Sequence, residues 1–397
     1  EISCSLVGSE MCIRDRYNIK VFRHNTAQNN SYIKTNTQKK INMKQKRLTF
    51  LLLLISNLFC ASAQKWYKPE IDLKVEELLS QMTVEEKLGY IGGIDWMYTK
   101  SIDRLGIHRM RMSDGPQGIG TKGKSTAYPA TVTLAATWNE NLAYQYGKAL
   151  GRDCRARNIN VILGPAVNIY RAPMCGRNFE YMGEDPYLTS RICVGYIKGV
   201  QDQGVMATVK HFVANNSDYD RNNISNDIDE RTLNEIYFPA YKAAIQEAEV
   251  GAIMTSYNLM NGIYTTENPW LLKEVLRNQW GFKGLVMSDW GSTHYCVPAA
   301  RSGLDLEMAG GEKMNPKDMA YYLKTGDVTM DMVDEKVRHI LRILIAFGFK
   351  DGTEADKSIA LDDPQSVETA LNVAREGLVL LKNENNILPI NPQKYKH

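Results

Sequence analysis

Four apolar runs in this chain each end in a polar cluster whose residue types can do chemistry. Arg109–Ser113 leads into Asp114-Gly115-Pro116, and Met206–Val209 leads into Lys210-His211. Ala252–Thr255 leads into Ser256-Tyr257-Asn258, and Leu285–Met287 into Ser288-Asp289-Trp290-Gly291. Carboxylates accept hydroxyl protons, Lys and Arg donate back, and an indole stacks on C–H groups. Together these groups suit a ligand with many hydroxyls and flat C–H faces, which is the chemistry of a pyranose. A phosphate would favour Gly-rich N–H cradles and few carboxylates. Taken singly, Asp114 reads as well as a turn residue and Asp289 as a helix cap. Four clusters at equivalent places are harder to explain that way.

The elements that must carry these clusters alternate in type. Strands are expected at Arg109–Ser113, Asn160–Leu163, Met206–Lys210, Ala252–Ser256 and Leu285–Ser288. Helical patterns lie between them, at Asn139–Arg157, Pro186–Gln203 and Pro269–Trp280. Thr83-Val84-Glu85-Glu86 reads as a capping box opening a short helix. A last amphipathic helix, Thr329–Phe347, sets Val337, Ile340, Leu341 and Leu344 on one face. This order implies an α/β fold, a TIM-like (β/α)8 barrel over residues 64–349, whose strand C-termini converge on one mouth. Residues 350–365 read as a linker. Residues 366–397 read as the start of a second α/β domain that is cut short, with a helix near Ser366–Gly377 and a buried-strand pattern at Leu378-Val379-Leu380-Leu381.

The front of the chain differs in kind. Residues 1–42 are polar and aperiodic and read as a non-native or untranslated leader. Residues 43–63 have the order of a secretory signal peptide: Lys44, Lys46 and Arg47, then the apolar Leu48–Cys60, then Ala61-Ser62-Ala63. Export to the periplasm or the extracellular space is therefore expected. Residues 1–47 hold ten Lys/Arg and three Asp/Glu, leaving 38 against 42 for the remainder, a net of −4. The basic balance belongs to the front and argues for neither a nucleic-acid partner nor, after cleavage, a membrane. Of the seven cysteines, Cys154, Cys175, Cys193 and Cys296 lie beyond it, and none forms a C-x-x-C pair. No metal or cofactor is expected.

The longer motifs around the clusters are Gly176-Arg177-Asn178-Phe179-Glu180-Tyr181-Met182-Gly183-Glu184-Asp185-Pro186, Lys210-His211-Phe212-Val213-Ala214-Asn215-Asn216, Asp229-Glu230-Arg231-Thr232-Leu233, Met254-Thr255-Ser256-Tyr257-Asn258 and Val286-Met287-Ser288-Asp289-Trp290. With Ser113-Asp114-Gly115-Pro116 they resemble glycoside hydrolase family 3, in that family's order, from Lys68 to about Pro392. The branch resembled is the β-glucosidase and β-xylosidase type. Val213-Ala214-Asn215-Asn216 stands where the N-acetylglucosaminidase branch has Pro-Gly-His-Gly.

The resemblance implies that Asp289 is a catalytic nucleophile. It also implies that Asp114, Arg177, Lys210, His211, Arg221, Met254, Tyr257 and Trp290 line the sugar subsite. The implied activity is retaining, exo-acting hydrolysis of terminal β-D-glucosyl residues, with a β-glucoside or oligosaccharide as partner. The acid/base carboxyl would come from the missing C-terminal domain. β-Xylosidase action, and a sugar-binding protein without catalysis, stay open. Glu180, Glu184 and Asp185 read as structural partners of nearby Arg and backbone groups, and Glu307 as a surface or structural residue. Cleavage after Ala63 is expected, so N-terminal sequencing of exported protein should begin at Gln64; a product that keeps Met43 would refute the signal peptide.

Overall fold

Val161, Ile162 and Leu163 have almost no solvent exposure, as parallel strands covered by helices on their outer face require. The computed structural model describes residues 66–120 and 123–394. The stretches read from sequence as a leader (1–42) and a signal peptide (43–63) lie outside these residues. All described residues fall in the compact unit Ser62–His397. The central strands are β1 (Met112–Asp114), β2 (Val161–Leu163), β3 (Met206–Phe212), β5 (Ala252–Thr255) and β8 (Leu285–Met287), side by side and parallel in that order. In register, Met112 lies beside Val161, Val161 beside Met206, Thr208 beside Ala252, and Met254 beside Met287.

The sheet closes on itself through shorter contacts. Met287 bridges Leu306 and Glu307 bridges Gly92, both in parallel. Ile94 then pairs with Tyr98, and Tyr98 with Arg111, both antiparallel. The Met112 N–H donates to the Met97 carbonyl at 2.8 Å, which completes the circuit to β1. The fold is thus the expected α/β barrel, with one position, Met97–Thr99, running backwards. Its reversal has a simple cause. Only a tight turn joins it to Ile94, with Asp95 and Trp96 at φ of 49° and 67°. A parallel neighbour needs a crossover of about a dozen residues or more.

A small second sheet sits beside the barrel mouth: β4 (Ser225–Asn226), β6 (Leu259–Met260) and β7 (Ile263–Tyr264), with β4 parallel to β6 and β6 antiparallel to β7. It ties the chain after β3 to the chain after β5.

The helices form largely where their caps and apolar faces place them. Thr83 and Glu86 make the reciprocal capping box, at 3.2 and 2.8 Å. Asn139 caps Glu140–Arg155 and Asp185 caps Pro186–Gln201. In Met330–Ala346 the residues Val337, Ile340, Leu341 and Leu344 are all fully buried. Glu140–Arg155 and Pro186–Gln201 cross at very short range through glycines. A Cβ on Gly147 would lie 2.1 Å from the Tyr196 carbonyl oxygen, and one on Gly199 2.1 Å from that of Tyr144.

The C-terminal region departs from expectation. The stretch 350–363 is not a free linker, because Asp356 pairs with Arg155 at 2.6 Å and Asp363 with Arg152 at 2.7 Å. The helix Pro364–Glu376 docks on the barrel, with Val373 fully buried and the Ser366 hydroxyl donating to Asp153 at 2.9 Å. The expected strand Leu378–Leu381 does not form. Its four side chains are 62–92% exposed, since no strand edge among the described residues reaches it. Cys154, Cys175, Cys193 and Cys296 are buried free thiols.

The glycine crossing gives a prediction in which two effects oppose. Gly199→Ala gains about 1 kcal/mol of helix propensity. Its methyl, however, meets backbone that cannot rotate away, and overpacking costs about 1–3 kcal/mol or more. We expect a lower Tm and urea midpoint for Gly199→Ala. A rise in either would show that the helices separate freely.

Candidate functional site

The ends of β1, β3, β5 and β8 bring Asp114, Lys210, Tyr257 and Asp289 to the same rim. Asp289 follows β8 directly and is 6% exposed. Its Oδ1 accepts the Trp290 backbone N–H at 2.7 Å, and its Oδ2 lies 3.3 Å from Arg177 Nη1 and 3.4 Å from His211 Nε2. Arg177 arrives on the excursion after β2. Its Nε donates to Glu180 Oε1 while its Nη1 reaches Asp289, so one guanidinium spans two buried carboxylates. Burial works against the charge on Arg177. The nearby Glu180, ahead of Tyr181 and Asp289, overrides that, and its pKa is raised. Lys210 is 4% exposed and places Nζ 3.4 Å from the other Glu180 oxygen. Glu180 therefore joins Arg177 to Lys210 and is the Arg partner expected of it.

His211 is fully buried. Burial, then the cations Arg177, Lys210 and Arg221, hold its pKa well below the usual imidazole range. That favours the neutral ring, for which the 3.4 Å approach to Asp289 is not an ion pair. Asn168 Oδ1 accepts the His211 N–H at 2.9 Å, Asn168 Nδ2 donates to its carbonyl at 3.2 Å, and the Tyr241 hydroxyl donates there at 2.6 Å. Tyr181 Oη and Asn168 Oδ1 each lie 3.4 Å from His211 Nδ1. Among the described residues Nε2 has no hydrogen-bond partner.

Asp114 ends β1. Burial raises its pKa, and the facing Asp289 and Glu180 add to that against Lys210 and Arg177. No described side chain donates a hydrogen bond to its carboxylate. The Arg221 guanidinium stands 3.8 Å over the Tyr257 ring, and the Tyr257 hydroxyl donates to the Trp290 carbonyl at 2.9 Å. Burial and the neighbouring Asp289 raise the Tyr257 pKa. Trp290 Nε1 donates to the Trp96 carbonyl at 2.8 Å. Met254 is buried in β5 beside Met287 and makes no polar contact with the cluster.

Other carboxylates sort by partner. Asp185 caps a helix. Glu184 is exposed and, contrary to expectation, pairs with no Arg or backbone group among the described residues. Glu307 is buried and accepts the N–H groups of Lys313 and Met314 at 2.9 and 2.6 Å, which makes it structural rather than surface. The sequence reading gave no role to Asn168, Tyr181 or Asn215. Tyr181 and Asn215 stood inside the quoted motifs, whereas Asn168 lay outside every motif. Asp218 was missed too. Burial raises its pKa, and its Oδ1 lies 3.8 Å from Arg221 Nη1.

The site is thus a buried carboxylate, two cations and aromatic groups at the mouth of a β/α barrel. The sequence profile of the glycosyl hydrolase family 3 N terminal domain matches residues 83–343, and the chain belongs to that family. It is 42% identical over 322 residues to a β-glucosidase of Rhizobium radiobacter, covering 80% of this chain and 39% of that one. It is 39% identical to thermostable β-glucosidase B of Acetivibrio thermocellus, covering 80% and 43%. Among solved structures, β-glucosidase 3B of Thermotoga neapolitana in complex with α-D-glucose superimposes with a TM-score of 0.74 at 35% identity, over 80% of this chain and 48% of that one. The β-glucosidase of Kluyveromyces marxianus in complex with glucose gives 0.75 at 36%, over 80% and 40%. The chain spans less than half the length of each of these relatives.

The depressed His211 pKa makes stability depend on pH. An unfolded histidine takes its proton near pH 6.5, while the folded one resists it. The stabilisation is present above about 6.5 and is lost as pH falls below it, with a slope of at most about 1.4 kcal/mol per pH unit for this one proton. His294 and His339 are lowered as well, by burial first. Thermal melts between pH 7 and 5 should show falling Tm, and His211→Gln should flatten that fall. An unchanged slope would mean that His211 takes up its proton equally readily in the folded and unfolded chain.

Proposed function

We propose that this barrel is the sugar-binding and nucleophile-bearing part of an exported, retaining β-glucosidase that removes terminal β-D-glucosyl residues. The observation that carries the reading is the surroundings of Asp289. A nucleophile must stay ionised, and a cation within about 4–6 Å favours the charged form of a carboxylate. Arg177 is 3.3 Å away and Lys210 is tied to the same cluster through Glu180. His211 is neutral and does not add a proton.

In this reading the Asp289 carboxylate attacks the anomeric carbon and the glycosidic C–O bond breaks. The leaving oxygen takes a proton from an acid, and water then releases the sugar from Asp289. Asp114, Lys210, Arg177 and Arg221 bond the ring hydroxyls, and Trp290 offers an apolar face. The orphaned His211 Nε2 is available to one further hydroxyl. The acid/base carboxyl belongs to a further domain in cis. The lengths of the relatives support that part, as does the engagement of Glu180 by two cations. A preference for glucose is supported by relatives named β-glucosidases and by structures solved with glucose.

The test is covalent capture. A 2-fluoro-glucoside with a dinitrophenyl leaving group needs no acid for its first step. Incubated with this chain, it should add one fluorosugar mass on the peptide that carries Asp289, and Asp289→Ala should abolish the label. In the full-length enzyme the same substitution should lower kcat by several orders of magnitude. Labelling of another carboxylate, or near-normal turnover by Asp289→Ala, would overturn the assignment.

A further inference from the structure

Asn258 belongs to a motif that the mechanism does not use, yet it is fully buried beside the pocket. Its amide uses all four of its hydrogen-bonding positions. Oδ1 accepts the Ser217 backbone N–H at 3.0 Å and Asn226 Nδ2 at 3.1 Å. Nδ2 donates to the Ser217 carbonyl at 2.9 Å and to the Arg221 carbonyl at 3.0 Å. The Ser217 N–H is an obligate donor, so it fixes which end of the amide is oxygen. One side chain from the loop after β5 thus grips both ends of the five-residue segment 217–221 that follows β3.

Arg221 needs such a grip. Its side chain is 39% exposed, and the carboxylate nearest to it, Asp218, is 3.8 Å away. Its firmest contact is the Tyr257 ring, 3.8 Å below the guanidinium. Tyr257 is itself held, its N–H by Asn215 Oδ1 at 3.2 Å and its hydroxyl by the Trp290 carbonyl at 2.9 Å. A half-exposed ion pair and a ring contact do not by themselves fix a long side chain. The backbone from which Arg221 springs has to be fixed, and the next residue after Tyr257 does that. Ring and guanidinium are therefore set from adjacent residues of one loop.

We propose that Asn258 is a positioning residue: it fixes the Arg221 backbone over Tyr257 and so sets how tightly the pocket holds its sugar. This rests on the sugar-pocket reading above. A purely structural Asn258 would stabilise the rim whatever Arg221 does. A positioning Asn258 acts on binding only while Arg221 is present.

The experiment uses the 397-residue chain as wild type, Asn258→Ala, Asn258→Asp, Arg221→Ala and the Asn258→Ala/Arg221→Ala double variant. Asn258→Asp keeps the shape and the two acceptor bonds but turns a carboxylate oxygen onto two carbonyls, so it serves if the Ala variant does not fold. The first readout is amide hydrogen exchange. Both Asn258 variants should speed exchange over 217–224 and leave the central strands unchanged; unaltered exchange there would overturn the proposal. The second readout is the glucose Kd from tryptophan fluorescence. Losing buried hydrogen bonds should weaken binding roughly tenfold, and Asn258→Ala should add nothing to Arg221→Ala, because effects through one shared group do not sum. Additive losses in Kd would overturn the positioning role. Wild-type chain that fails to bind glucose would overturn the sugar-pocket reading itself, and the exchange result would still decide whether Asn258 fixes the loop.

Discussion

A carboxylate as buried as Asp289 has to be met by positive charge and donors, because an isolated buried ion is strongly disfavoured. Much of the barrel mouth is arranged around that constraint. Arg177 meets Asp289, but a guanidinium and the Lys210 ammonium buried together would repel. Glu180 sits between them and takes a contact from each. With protonation of His211 opposed by burial first and by the same cations second, the cluster holds Arg177 and Lys210 against Asp289 and Glu180, two charges of each sign. Removing any one member would leave an uncompensated buried charge.

The scaffold delivers these groups from distant parts of the chain. Parallel strands in register put their C-terminal ends on one rim, which places Asp114, Lys210, Tyr257 and Asp289 together. The ring is completed by single bridges and one reversed position rather than by uniform strands. Outside, Glu140–Arg155 and Pro186–Gln201 come close enough to touch backbone to backbone only because Gly147 and Gly199 lack side chains. The excursion carrying Arg177 and Glu180 leads directly into the second of these helices. The position of the guanidinium thus depends on a close helix crossing as well as on its own ion pairs.

A second layer of amides holds the charged cluster and the loops around it. Asn168 clasps the His211 peptide on both sides, Asn215 supports Tyr257, and Asn258 clasps the segment that carries Arg221. Each is buried, and each bonds main chain that lies far from it in sequence. Buried amides are favourable only when satisfied, and satisfying them fixes the loops in one arrangement. Rigid loops at a polar mouth suit a ligand recognised hydroxyl by hydroxyl.

The sequence alone determined the order of strands and helices, the capping box at Thr83, and the convergence of Asp114, Lys210 and Asp289. Apolar runs and cap residues are local signals, and a barrel turns strand ends into neighbours by rule. It did not determine the reversed segment at Met97–Thr99, because a tight turn through Asp95 and Trp96 leaves no periodicity to read. Nor did it foresee that Leu378–Leu381 would lie exposed, since an apolar run states a preference for burial and not a partner. Only the tertiary structure decided that Glu180 bridges two cations, that His211 is buried among cations and that Asn258 bonds the Arg221 carbonyl. Those properties come from burial and from contacts between residues far apart in the chain, and no local pattern encodes a distance.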